Sequence, residues 1–84
     1  MPSGFAISRQ LVFVLKNGAV VVDWGNGWGA DPDSGKFIRF TDQDFSHSIQ
    51  DDELESMKRM GLVVEYNQSQ VYFSYLPEPP QTKA

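Results

Sequence analysis

The run LVFVLK-NG-AVVVDW, residues 11 to 24, constrains this chain more than any other feature. Two β-rich runs flank Asn17-Gly18, and a type I′ hairpin turn needs positive φ at both central positions, which Asn-Gly supplies most readily. A two-residue turn there sets Lys16 opposite Ala19, Leu15 opposite Val20, Phe13 opposite Val22 and Leu11 opposite Trp24. One face then carries Leu11, Phe13, Leu15, Val20, Val22 and Trp24, all apolar, and is predicted to be core. The other carries Val12, Val14, Lys16, Ala19, Val21 and Asp23. Its valines are too apolar for bare solvent, so another part of the fold or a second copy is expected to cover them. The second case is a homodimer through the first hairpin.

The remaining chain supplies matching pieces. KFIRF reads as a short third strand. LVVEY and QVYFSYL form a second hairpin around NQSQ, with Tyr66 opposite Val71 and Val64 opposite Phe73. Its apolar face is expected to hold Leu62, Val64, Tyr66, Val71, Phe73 and Tyr75. Between the third strand and this hairpin, a helix is predicted over residues 49–60, with Ser48 as N-cap, acids in its first turn, Lys58 and Arg59 in its last, and Gly61 as C-cap. Proline lacks a backbone donor, so PEPPQTKA cannot extend a strand. The expected organisation is one compact domain over residues 1–76 and a flexible Pro-rich tail over 77–84. The order is β-β-β-α-β-β and the class α+β: a small antiparallel sheet, or a partly open barrel, of four to five strands with one helix. The shared core is expected to contain Phe13, Leu15, Val22, Leu54, Val64 and Phe73.

Eighty-four residues with 13% aromatic content form one small core, since each buried aromatic removes roughly 150–250 Å² from water. The absence of cysteine rules out disulfides and thiolate metal sites. No apolar run approaches the ~20 residues that span a bilayer, and MPSGFAISRQ has no secretory signal pattern, so a cytoplasmic protein with no membrane association is expected. A net charge of −4 and a pI near 4.6 argue against direct nucleic-acid binding, which rests on Lys and Arg meeting phosphates.

Candidate sites are few. DWGNGWGADPDSG, residues 23–35, reads as a long inter-strand loop. Its G-x-G-x-G spacing lacks the following helix and the lysine of a phosphate cradle. Asp31-Pro-Asp33-Ser-Gly35 starts like a calcium loop, but Gly35 already stands at position 5, and a turn accounts for it. Trp24 belongs to the core face. Trp28, among glycines, is either a lid folded over the core or an exposed anchor for a partner, a sugar or a base. His47 sits between Ser46 and Ser48 near acids, an arrangement that invites a Ser-His-Asp reading. Neighbours in one loop do not align as nucleophile, base and orienter, however, and Ser48 serves the helix. Asn67-Gln68-Ser69 is a turn. Asp42, Asp44, Asp51, Asp52, Glu53 and Glu55 concentrate negative charge around the start of the helix. They either balance the helix dipole or form a docking face for a basic partner.

The expectation is therefore a small acidic, non-catalytic protein-binding or regulatory module. It is of inhibitor or immunity type, without cofactor or metal, and meets a basic protein partner through Trp28, Asp44, Asp51, Asp52, Glu53 and Glu55. The alternatives are an accessory subunit of a larger assembly, and a small-molecule or carbohydrate binder using the Trp28 loop.

Overall fold

The structure is a computed structural model that describes residues 5–77. Eight strands and one helix follow in chain order: β1 Phe5–Ser8, β2 Val12–Leu15, β3 Val20–Gly25, β4 Trp28–Asp31, β5 Lys36–Arg39, β6 Phe45–Ser48, α1 Asp51–Arg59, β7 Val63–Tyr66 and β8 Gln70–Phe73. They build two antiparallel sheets, β1-β8-β7 and β5-β4-β3-β2-β6, neither closed into a barrel. The α+β class stands. The strand order is richer than expected, because β1, β4 and β6 were not read from the sequence.

The first hairpin forms, but one residue out of the expected register. Val12 pairs with Val22, Phe13 with Val21 and Val14 with Val20. The loop holds three residues, Lys16 to Gly18: the Gly18 N–H donates to the Leu15 carbonyl at 2.9 Å, and the Leu15 N–H to the Ala19 carbonyl at 2.8 Å. Gly18 takes φ +92° after the turn, the left-handed residue of a three-residue hairpin loop, and the Asn17 side chain accepts the Ala19 N–H. Because strand side chains alternate, this shift inverts β2: Val12 and Val14 face the main core, while Phe13 and Leu15 face outward. The expected place of Phe13 on the core face is thus corrected; Leu15 is buried as expected, at 4% exposure, but under the outer face rather than in the main cluster, and Val20, Val22 and Trp24 pack on the core side as expected.

The stretch expected to be one long loop is instead two tight turns around β4. Asn26 (φ 59°) and Gly27 (φ 80°) form a two-residue turn with Gly25 opposite Trp28. The positive φ at both positions is the type I′ signature expected of Asn17-Gly18. Four residues, 32–35, then connect Asp31 to its partner Lys36. The Asp31 carboxylate accepts the N–H groups of Asp33 and Ser34, and the Gly35 N–H donates to the Asp31 carbonyl. Asp31 therefore serves the turn.

The helix begins later than expected. Ser48 remains in β6 opposite Phe13, and the Ile49 N–H donates to the Val12 carbonyl, so sheet pairing holds the chain extended past Ser48. Gln50 is the N-cap, in a capping box with Glu53. The C-terminus ends as predicted at Gly61 (φ 83°), with the Gly61 N–H on the Lys58 carbonyl and the Leu62 N–H on that of Met57. Leu54 and Met57 point into the core.

In the second hairpin Tyr66 pairs with Val71 as expected, but a bulge at Val64 sets Val63, not Val64, opposite Phe73. Val63 is buried and Val64 is 51% exposed, which corrects the core assignment of Val64. The core joins Val12, Val14, Val22 and Ala30 of one sheet, Val63, Val71 and Phe73 of the other, Leu54 and Met57 of the helix, and Ile49 and Leu76. Pro77 is also buried, so the chain stays packed one residue beyond the expected domain end; the rest of the expected tail lies outside the described residues. Among the described residues no helix is long and apolar enough to cross a membrane.

Candidate functional surface

The outer face of the five-stranded sheet carries a second apolar cluster. Phe13 of β2 makes edge-to-face contacts with Phe40, just after β5 (centroids 6.4 Å apart), and with Phe45 of β6 (5.3 Å). Beneath them Val21 and Leu15 are buried. Gly29 allows this closeness: a Cβ there would lie 2.8 Å from Phe40 Cε1 and 3.0 Å from the Val21 Cβ. The chain thus covers Val21 with its own aromatics, while Val12 and Val14 lie in the main core. No second copy is required to shield these valines. The cover itself is open: Phe45 is 37% exposed, and Phe13 and Phe40 are half-buried.

Acids flank this face. Between Phe40 and Phe45 runs a 3-10 turn, Asp42–Asp44, capped by Thr41, whose side chain accepts the Gln43 N–H; the Asp44 carboxylate accepts the Thr41 N–H at 2.9 Å. The Lys16 N–H donates to the Asp44 carbonyl, tying this turn to the first hairpin.

The structure gives the other expected acids distinct local contacts. Asp51 is paired with Arg9, whose guanidinium also donates to the Asn67 carbonyl. Asp52 accepts the Glu53 N–H at 2.9 Å. Glu53 accepts the Gln50 N–H through one oxygen and meets His47 Nε2 at 2.8 Å through the other. Glu55 accepts the Tyr66 hydroxyl, and this bond pushes the Tyr66 pKa up to about 12. These carboxylates line the solvent side of the helix start rather than converging on one point, and among the described residues no cluster of His, Asp and Glu could hold a metal.

His47 lies in a hydrogen-bonded row. Its Nε2 lies 2.8 Å from the Glu53 carboxylate and its Nδ1 2.9 Å from the Ser46 hydroxyl, so the ring bridges the two side chains. The row locks the bulged strand β6, in which Ser46 is the extra residue, onto the capping box of α1. Sequence reasoning named the histidine and both flanking serines but not Glu53 as the acid.

Trp28 stands at the end of β4 opposite Arg39, whose guanidinium lies 4.7 Å from the centre of its ring. It shares a sheet face with Ala30, on the core side, and is half-buried. One ring face is therefore already occupied by a cation. Nearby, Trp24 presses on the core as the extra residue of a bulge in β3, and its buried Nε1 has no hydrogen-bond partner among the described residues. A cleft of about 420 Å³ opens between the Asn17-Gly18 and Pro32-Asp33 turns, floored by Met57, Met60 and Leu62.

What sequence reasoning missed is the aromatic face. Phe13, Phe40 and Phe45 are far apart in the chain, and only the shifted hairpin register turns Phe13 outward. No protein-family model, curated protein or solved structure matches this chain.

Proposed function

We propose that this chain is a non-catalytic protein-binding module whose contact surface is the open aromatic face of the five-stranded sheet, with the acids beside it selecting a basic partner. The observation that carries this is the placement of Phe45 at 37% exposure against Phe13 and Phe40, outside the main core. Partly exposed aromatics in a fixed arrangement are the usual energetic centres of protein interfaces, because they bury a large area at little conformational cost. Asp42, in the turn between Phe40 and Phe45, and Asp52 at the helix start add negative charge that steers a cationic surface. A sugar platform on Trp28 fits less well, since Arg39 already covers one face of that ring.

The test compares two exposed apolar residues on different sheets. Phe45→Thr should abolish recovery of a partner from the native host, while Val64→Thr, equally polar and 51% exposed on the other sheet, should leave it intact. Loss with Val64→Thr and retention with Phe45→Thr would place the interface on the three-stranded sheet and end this proposal.

A further inference from the structure

Resting on that reading, we infer that the partner presents a basic extended strand, which adds to the five-stranded sheet along the free edge of β6. Among the described residues β6 ladders only with β2 and ends the sheet, so no described strand pairs with its other edge. Such an edge recognises another extended backbone. Of the other sheet edges, β5 begins with Lys36 and ends with Arg39, and β7 carries Glu65 and has α1 packed beside it; β1 is as free of carboxylates, lysine and arginine as β6, but Arg9 follows it where acids flank β6. Within Phe45–Ser48 there is no charged carboxylate, lysine or arginine, and Phe45, Ser46 and Ser48 are exposed.

Charge decides what kind of strand fits. Asp42 and Asp44 precede β6; Asp51, Asp52 and Glu53 follow it. Two cations lie close: Lys16, whose N–H meets the Asp44 carbonyl, and Arg9, paired with Asp51. The surroundings stay net negative. A second copy pairing antiparallel along β6 would bring its Asp51 and Asp52 against Asp42 and Asp44 at both ends, with like charges opposed. A strand bearing Lys or Arg reverses that sign, and its alternate apolar residues would fall beside Phe45, whose ring meets Phe13. The bulge at Ser46 keeps the paired stretch short, so the backbone ladder sets orientation while charge and Phe45 supply affinity.

The probe is a synthetic peptide alternating Lys and Val, set beside a Glu/Val peptide and a Lys/Val peptide N-methylated at alternate residues. Binding is followed by NMR shifts and by amide hydrogen exchange of the full chain. The Lys/Val peptide should bind and slow exchange at β6, the N-methylated peptide should not bind, and Asp42→Asn with Asp52→Asn together should weaken binding roughly tenfold. The inference is overturned by equal binding of the Lys/Val and Glu/Val peptides, by absence of binding by both, or by unchanged β6 amides with N-methylation tolerated. If in the last case the shifts centre on Phe13, Phe40 and Phe45, the aromatic-face proposal survives without the edge. Conversely, β6 protection that is indifferent to Phe45→Thr leaves the edge standing and removes the face. Concentration-dependent protection of β6 without peptide would make the occupant a second copy and overturn the basic strand.

Discussion

The ring of Phe40 lies across Gly29 so closely that a Cβ on Gly29 would sit 2.8 Å from its Cε1. A strand glycine leaves a gap on the sheet surface, and here an aromatic from the neighbouring strand's end fills it. Gly29→Ala should therefore force Phe40 off its seat and lower stability by about 1–3 kcal/mol, the usual cost of overpacking. Denaturant titration reads the loss. An unchanged midpoint would mean that Phe40 does not rest there.

Phe73 and Val64 test the bulge in β7. Phe73 is fully buried, so Phe73→Ala should cost roughly 3–5 kcal/mol, a large share of the about 5–15 kcal/mol that stabilises a domain. Val64→Ala, at a residue 51% exposed, should stay within about 0.5 kcal/mol of the parent. Comparable losses from the two would restore the unbulged register with Val64 in the core.

Trp24 offers a prediction of opposite character. Its buried Nε1 lacks a partner among the described residues, and an unsatisfied buried donor costs about 1–3 kcal/mol. Trp24→Phe removes the donor together with part of the ring, and the two effects should nearly cancel. Trp24→Ala removes the packing and should be clearly destabilising. If the phenylalanine variant lost as much stability as the alanine variant, the indole N–H would have to be satisfied in solution.

Tyr66 links β7 to the helix through Glu55, and this bond holds its phenol pKa up at about 12. The raised value means that folding favours the neutral phenol. The stabilisation is complete below the ordinary tyrosine pKa of about 10 and is lost as pH rises through about 12. Ultraviolet titration of the phenols should show a late-ionising component from Tyr66 that is absent in Tyr66→Phe and moves to lower pH in Glu55→Gln. Identical titration curves for the parent and Tyr66→Phe would contradict the bond.

The local rules written into the chain survive folding. Asn17-Gly18 does close a hairpin, Gly61 does end the helix in a left-handed cap, Tyr66 does face Val71, and Asp31 through Gly35 does make a turn. Each depends on residues a few positions apart, where backbone sterics and short side-chain hydrogen bonds decide. Other features were beyond such rules. Whether Asn17-Gly18 closes a two- or a three-residue loop differs by one residue in register, and that choice puts Val12 and Val14 rather than Phe13 in the main core, with Leu15 buried on the other side of the sheet. Local preference separates the two loops only weakly. The packing of Val12, Val14 and Val22 against Phe73 and Leu54 selects between them. Ser48 was a good helix cap by composition, yet pairing with Phe13 keeps it in a strand and moves the cap to Gln50. The aromatic face follows from the same decision. Phe13, Phe40 and Phe45 meet only because β2 sits between β3 and β6 in the register that tertiary packing imposes, and no spacing along the chain encodes that meeting.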